Sequence, residues 1–415
     1  MRKLWFTPLL ALLFSASTLA VTNTKNLAAS PGETLTFDLQ LGGDIDVIGW
    51  DGEGAEITAE ITGRDASQVH LSVERTASGI RVTTPRVAHD KYLSYSDGEE
   101  IKDHRPGRHT RVSVVIKAKV PHRYSVKIKT MGGDVRLREL EGEFTGETMG
   151  GDITLGSLTG QARVTTMGGD ITVRDSTLDG KVRTMGGDVK LDNLDGNLDA
   201  STMGGDVIQN DVRRTTGRGA EKVTVSSHGG DVVVDTAPAG ADVKTMGGDI
   251  RVRSVDEFLK AVTMGGDITI QQATGETEIT TMGGDIEVES FDGQIQATTM
   301  GGDVEVNVVS DTAPGGHDIE LNSMGGDIRL ALPAGFSGRF EIELVKLRKK
   351  EDGSRIESDI ALDVNEPSEW TPGNVRNGDQ KYSSAYKIIT ATGSVGGGDN
   401  LVKLKTVNGV IRIKN

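Results

Sequence analysis

Thr166-Met167-Gly168-Gly169-Asp170-Ile171-Thr172-Val173 is one copy of the motif that decides the fold of this chain. Met-Gly-Gly-Asp occurs ten times, beginning at Met131, Met149, Met167, Met185, Met203, Met246, Met264, Met282, Met300 and Met324, and an eleventh copy reads His228-Gly229-Gly230-Asp231. Eight of the ten steps between copies are 18 residues; the others are 25 (203 to 228) and 24 (300 to 324). A fixed period of this length marks a repeat architecture.

The parity of apolar residues shows what each repeat contains. The residue after the Asp is β-branched in every copy, from Val135 to Ile328, and the residue two further on is aliphatic in all but Gln209. Mostly polar residues lie between them, as in a short half-buried strand. A second strand precedes the motif, as in Ala162-x-Val164-x-Thr166 and Ile319-x-Leu321-x-Ser323, and ends on Thr or Ser. From that Thr to the β-branched residue is five positions, an odd number. A straight strand would send the two sets to opposite faces. Both are buried only if the chain bends at Met-Gly-Gly-Asp, and paired glycines at positive φ are the expected means. A second turn is expected at Gly142, Gly160, Gly196, Gly275 and Gly293.

One such unit cannot bury its own apolar face, so neighbours must stack. The expected fold is all-β: a single-stranded parallel β-solenoid, or β-helix, with 18-residue coils, right-handed by the usual crossover preference. At a strand spacing of about 4.8 Å, eleven coils give a rod roughly 50 Å long. The chain divides into a signal peptide (1–20), an N-terminal β cap region (21–125) with a polar loop at 87–109, the solenoid of eleven GGD repeats (126–330), and a C-terminal β region with divergent last repeats (331–415). The polar loop gathers three of the seven histidines, His89, His104 and His109. The divergent copies are Leu41-Gly42-Gly43-Asp44 near the start, and Gly396-Gly397-Gly398-Asp399 and Val407-Asn408-Gly409-Val410 at the end. The flanks are expected to cover the strand edges of the rod.

Arg2, Lys3, an apolar run from Leu4 to about Phe14 and the small-residue step Thr18-Leu19-Ala20 read as a secretory leader cleaved after Ala20. The run is short for a membrane span and contains Pro8. No later stretch is apolar enough to cross a bilayer as a helix, so no transmembrane span is expected in the mature chain. There is no cysteine, which excludes disulfides, thiolate chemistry and a lipid-anchored cysteine. A net charge of −15 argues against nucleic acid and anionic membrane surfaces as partners. Aromatics are only 4%, so the core must be built from slim aliphatic side chains that suit stacked strands.

The chain resembles the bacterial β-strand-repeat family labelled "putative adhesin", a domain of unknown function. The resemblance rests on Gly43-Asp44-Ile45-Asp46-Val47 followed by Gly49-Trp50-Asp51-Gly52, on Val120-Pro121, on Leu332-Pro333-Ala334-Gly335-Phe336 and on Thr406-Val407-Asn408-Gly409. Met-Gly replaces the family's more usual Val-Asn in almost every copy. The resemblance implies a solenoid located in the envelope or at the surface; for an exported chain, periplasmic or at the cell surface, the expected partner is an envelope protein or glycan whose identity the sequence does not give. It transfers no catalytic residues.

The repeat makes two side-chain rows. Asp134, Asp152, Asp170, Asp188, Asp206, Asp231, Asp249, Asp267, Asp285, Asp303 and Asp327 stack at one position. Carboxylates about 4.8 Å apart repel by roughly 1 kcal/mol per pair even in water, so something should offset them. Calcium is the cofactor such a row suggests, but the calcium-binding β-roll motif GGxGxDxUx is not matched. Backbone N–H donors at each Asp's own corner, with Lys and Arg nearby, are the expected partners, and no cofactor is then required. Methionine makes the second row. All eleven methionines are Met1 and the ten motif copies. Folding over the corner into the core is the expected placement; an exposed thioether stripe would suit a docking surface or Cu(I). The Thr row is expected to bond Thr to Thr between coils.

The longer steps hold a basic insert around Arg213, Arg214 and Arg218 and a segment ending at His317. Both replace the same turn and are expected to protrude from one edge, either as tolerated insertions or as a two-point binding edge. His228 is the one repeat histidine in a candidate binding position. A carbohydrate-active β-helix enzyme would need long loops walling a cleft, and the coils are short and uniform. The sequence therefore predicts an exported, non-catalytic binding, adhesin-like or scaffold module, with a calcium- or copper-binding repeat protein and a carbohydrate-active enzyme as rivals.

Overall fold

The computed structural model describes residues 20–64, 66, 69, 71–84, 95–96, 99–100, 112–213, 222–310, 316–348, 353–373, 376–377, 380–397 and 400–415. The expected leader, all but Ala20, and most of the polar loop 87–109 lie outside them. The described residues contain strands and no α-helix, and thirty strands join one continuous sheet.

Successive repeats pair in parallel. Strand Val135–Thr148 lies on Ile153–Thr166 with Val135 opposite Ile153, Leu137 opposite Leu155 and Thr148 opposite Thr166, an offset of one motif step. The register survives both inserts, since Val207 faces Val232 and Val304 faces Ile328. Equivalent side chains therefore stack into continuous rows, and the buried rows are Val, Ile, Leu and Ala with few rings among them, such as Phe37, Phe144 and Phe291. Thr166 and Ile171 are both buried, as the odd spacing requires.

The means of the bend differs from expectation. Positive φ occurs at Gly133 (94°) and Gly151 (105°), but at no motif glycine of the later Met or His copies. Elsewhere in the repeat, Glu139, Ser157, Asp175, Asn193 and Asp211 (φ 58°, 54°, 49°, 48° and 46°) form a left-handed column five residues past the Asp. Gly160, Gly196, Gly275 and Gly293 also have positive φ, whereas Gly142 does not. A left-handed non-glycine residue thus supplies a turn that glycine spacing did not reveal.

The sheet is mixed rather than uniformly parallel, because the chain doubles back at both ends. The repeat register runs past 126 and 330: Leu35 faces Val126 and Ile45 faces Val135, while Ile319 faces Val402 and Ile328 faces Ile411. Outside these rungs lies one more at each end, where Leu35 faces Ile80 and Ile45 faces Ile116, and where Phe340 faces Val402 and Ile356 faces Ile411. At the start, the chain lays down residues 34–50, steps outward to 79–83 and 112–121, then jumps back across. At the finish it does the reverse. It lays the outer rung, 338–347 and 356–358, first and returns to fill the gap with 400–414.

Antiparallel strands then cover the outer rungs. Ala55–Gly63 pairs with Val112–Pro121 and with Ala20–Leu27, and Tyr386–Val395 pairs with Gly338–Leu347 and Asp363–Asn365. These reversals protect strand edges that would otherwise recruit other chains.

Candidate functional site: the Gly-Gly-Asp ridge

The Asp row is a ladder of hydrogen bonds. The backbone N–H of Asp134 donates to Oδ1 of Asp44 (2.9 Å), that of Asp152 to Asp134 (3.1 Å) and that of Asp170 to Asp152 (2.9 Å). The same bond continues through Asp188, Asp206, Asp231, Asp249, Asp267, Asp285, Asp303 and Asp327. It ends where the Val410 N–H donates to Asp327 Oδ1 at 2.8 Å. The donor belongs to the next rung, not to the Asp's own corner as expected. Each carboxylate thus supplies the acceptor for the N–H at the same position of the next rung. A hydrogen bond to a charged acceptor contributes about 1.5–3 kcal/mol, more than the roughly 1 kcal/mol of repulsion between neighbouring carboxylates. The ladder starts at Asp44 and stops at Val410, which stands at the Asp position and carries no carboxylate to pass the bond on.

Arginine two residues after the Asp offsets charge in some rungs. Arg251 reaches Asp231 at 3.0 Å and Asp249 at 2.7 Å. Arg136 meets Asp134 at 3.0 Å, Arg329 meets Asp303 at 3.1 Å, and Arg412 meets Asp327 at 3.2 Å. The hydrogen bond from Arg251 to Asp231 holds its guanidinium above its ordinary range. Among the described residues no three His, Asp or Glu side chains converge in the manner of a metal site.

The Thr row bonds glycine, not its neighbouring Thr. Thr166 Oγ1 donates to the Gly151 carbonyl of the preceding rung at 3.0 Å and accepts from its own Gly169 N–H at 3.3 Å. Thr184, Thr245, Thr281 and Ser323 repeat both bonds. In the first two Met rungs Thr130 and Thr148 instead bond Gly132 and Gly150 of their own corner, which is where the positive φ values fall.

The second glycine is demanded by proximity. A Cβ on Gly266 would lie 2.1 Å from the Gly248 carbonyl oxygen, and one on Gly302 2.1 Å from that of Gly284. The first glycine is less crowded: a Cβ on Gly150 meets nothing within 4 Å and one on Gly265 stays 3.4 Å from its nearest neighbour, while Gly229 and Gly247 are the tightest at 3.1 Å. The final corner obeys the same rule, with Asn408 at the first position (φ 58°) and glycine kept at the second, Gly409.

Methionine does not fold into the core. All ten motif methionines are exposed, between 39% (Met203) and 53% (Met131). The corner wedges Thr inward, so the next side chain must leave outward. His228 stands in the same row and is also exposed. Its carbonyl accepts the Gly247 N–H at 3.1 Å, tying it to the Met246 rung.

The insert residues separate. Arg214 and Arg218 lie outside the described residues, as does the side chain of Arg213. His317, expected on a protruding edge, is instead 2% exposed, with Nε2 at 2.7 Å from Asp292 Oδ1 and its N–H donating to Asn400 Oδ1 at 3.1 Å. It pins the insert to its neighbours and is not free to take a surface ligand. A shallow cavity of about 300 Å³ on the C-terminal sheet is lined by Glu320, Glu343, Lys403 and Lys405 among others. Lys405 and Glu343 are paired there at 3.1 Å.

Sequence reasoning missed a cluster at the N-terminal end. Arg75 donates to Glu33 Oε2 at 2.6 Å, and the hydroxyl of the fully buried Tyr124 donates to the same oxygen at 3.1 Å. The Arg75 hydrogen bond lowers the Glu33 carboxyl to about 2, against the opposing effect of burial. These residues are 42 and 91 positions apart and share no motif.

Two overlapping stretches, residues 38–252 and 209–414, match the family model described as Toastrack DUF4097. The first takes in the N-terminal doubled-back end from residue 38 onward, and the second takes in the C-terminal one. No curated protein matches the chain. Solved structures similar to it include a "putative cell adhesion protein" from Clostridium sporogenes ATCC 15579 (8% identity, covering 95% of this chain and 99% of that one, TM-score 0.19). A "putative lipid binding protein" from Parabacteroides distasonis ATCC 8503 is 12% identical over 75% of this chain and 96% of its own, with a TM-score of 0.23. A "putative adhesin" from Bacteroides fragilis NCTC 9343 is 13% identical over 75% and 97%, with a TM-score of 0.20. Likenesses this remote identify no ligand or partner.

Proposed function

The chain belongs to the Toastrack DUF4097 family, and on that premise we propose that it is an exported, non-catalytic solenoid serving as a rigid binding or scaffold module of the cell envelope. In this reading the repeat body is a single-stranded coil whose regular turn is 18 residues. The observation that carries the proposal is the unbroken ladder from Asp44 to Val410, which joins each rung between them to the next through a side chain and fixes the pitch of whatever the ridge displays. Such a body suits presentation of a long surface, since each rung stacks on its neighbours and extends the same ridge. The non-catalytic reading rests on the short, uniform coils, which carry no long loops to wall a cleft. The apolar leader ending near Ala20 supports export.

Cell fractionation with N-terminal sequencing tests the location. The expected product is an envelope-fraction chain beginning at Val21; a cytosolic chain retaining Met1 overturns the reading. Turnover on a panel of envelope glycans that vanished in His228→Ala or Arg214→Ala would overturn the non-catalytic assignment. Excising both inserts, 214–221 and 311–315, should reduce crosslinking to envelope partners if that edge contributes to binding.

A further inference from the structure

The exposed row at the first motif position contains five methionines, then His228, then five methionines. We propose that this column is a binding site for a soft monovalent cation, Cu(I), with its tightest position where His228 lies between Met203 and Met246. The proposal deepens the binding-module reading by naming a ligand class for the ridge.

The row itself provides the internal control. Its two ends are Leu41, which packs against the core, and Val407, which is buried. Where the position turns inward the chain uses hydrocarbon. Where it is exposed the chain uses a thioether ten times and an imidazole once. Apolar covering alone would be served by Leu or Val at every rung. A requirement for a soft donor separates Met and His from Leu and Val, because thioether sulfur and imidazole nitrogen are the neutral side-chain ligands suited to Cu(I). With no cysteine in the chain, these are also its soft donors of choice.

The pitch fits. Adjacent rungs of a parallel sheet are about 4.8 Å apart. Two sulfurs at metal–sulfur bonds of about 2.3 Å span nearly that distance across one ion. The parallel register Ala200–Val225 and Val225–Val243 places the strands leading to Met203, His228 and Met246 on consecutive rungs. Two residues along from each donor's first glycine runs the Asp ladder, whose charge favours a cation of any kind, while the thioethers select a soft one. Its Oδ1 atoms are already taken by backbone N–H groups, so the carboxylates add field rather than ligands.

Titration of the whole mature chain with Cu(I) held by bicinchoninate tests this. The wild type is expected to withdraw more than one Cu(I) per chain. Met203→Leu/His228→Leu/Met246→Leu should weaken the tightest site at least tenfold, and Met300→Leu/Met324→Leu should lower the stoichiometry while leaving that site intact. All three findings support the proposal. A wild type that withdraws no Cu(I), or a triple variant that binds as tightly as wild type, overturns it. Should the triple variant melt early, X-ray absorption of the Cu(I)-loaded wild type decides: sulfur neighbours support the site, and an all-oxygen or all-nitrogen shell overturns it. Failure here leaves export and the absence of turnover untouched, so the two proposals fail separately.

Discussion

The corner and the remainder of each rung solve the same stacking problem by different means. At the corner, the atoms of one rung complete the hydrogen bonding of the next: Asp Oδ1 receives an N–H, Thr Oγ1 reaches a glycine carbonyl, and the second glycine leaves room for both. Away from the corner, rungs meet through the backbone ladder and aliphatic rows, which many residues satisfy. The turn column there reads Glu139, Ser157, Asp175, Asn193 and Asp211, and both inserts leave from that side. Residue identity is therefore dictated where side chains bond between rungs, and is free where only packing is required.

The largest effect that would break this contrast comes from the glycines. Gly266→Ala places a methyl 2.1 Å from a carbonyl oxygen, and should cost about 3 kcal/mol as an overpacked contact. Gly150→Ala meets nothing within 4 Å and should change the denaturation midpoint little. Equal midpoints for the two variants would mean that proximity does not set the motif.

The carboxylate comes next. Asp267→Ala orphans the Asp285 N–H and should cost about 2 kcal/mol, the penalty of an unmet donor. Asp267→Asn keeps an acceptor oxygen and removes one repulsive charge, so it should recover most of the loss. Hydrogen exchange at the Asp285 amide reads this directly. Calcium should leave the melting temperature of the wild type unchanged, because the Oδ1 atoms are occupied.

The aliphatic rows make the opposite prediction. Gln209 is 0% exposed, in the row between Leu191 and Val234, and neither its Oε1 nor its Nε2 has a partner among the described residues. Gln209→Leu restores the pattern of the other rungs and should stabilise the chain by about 1 kcal/mol or more. A destabilised variant would show that the amide has a role that packing does not explain.

What the sequence revealed follows the same division. The period, the two strands and the need for a bend were legible because aliphatic parity repeats in every copy from Val135 to Ile328. The partners of the Asp and Thr side chains were not, because a ladder within one corner and a ladder between rungs leave the same letters. Methionine was misplaced inward because its apolarity says nothing about which side of a tight corner it leaves. The doubled-back ends were hidden for a different reason: the register between Ile45 and Val135 spans an interval with no fixed period. The Glu33 cluster was hidden likewise.

That cluster gives the smallest effect and separates the ends from the ladder by pH. Glu33 titrates near 2 in the folded chain instead of near 4.5, chiefly because Arg75 hydrogen-bonds its carboxylate. A depressed carboxyl stabilises the fold fully above the unfolded value and loses that contribution as pH falls through the folded one. Its share is therefore present above about pH 4.5 and disappears toward pH 2. Solvent reaches both partners, so the contribution should be no more than about 1 kcal/mol. Acidification from pH 4.5 to pH 2 should loosen amides of Thr34–Leu39 and Gly79–Thr83, which lie beside Glu33, more than those of the central rungs. In Glu33→Gln that extra loosening should vanish, because the variant has no carboxylate to protonate. If the central rungs open first, the Glu33 cluster does not govern acid unfolding, and the ends are the more robust part of the stack.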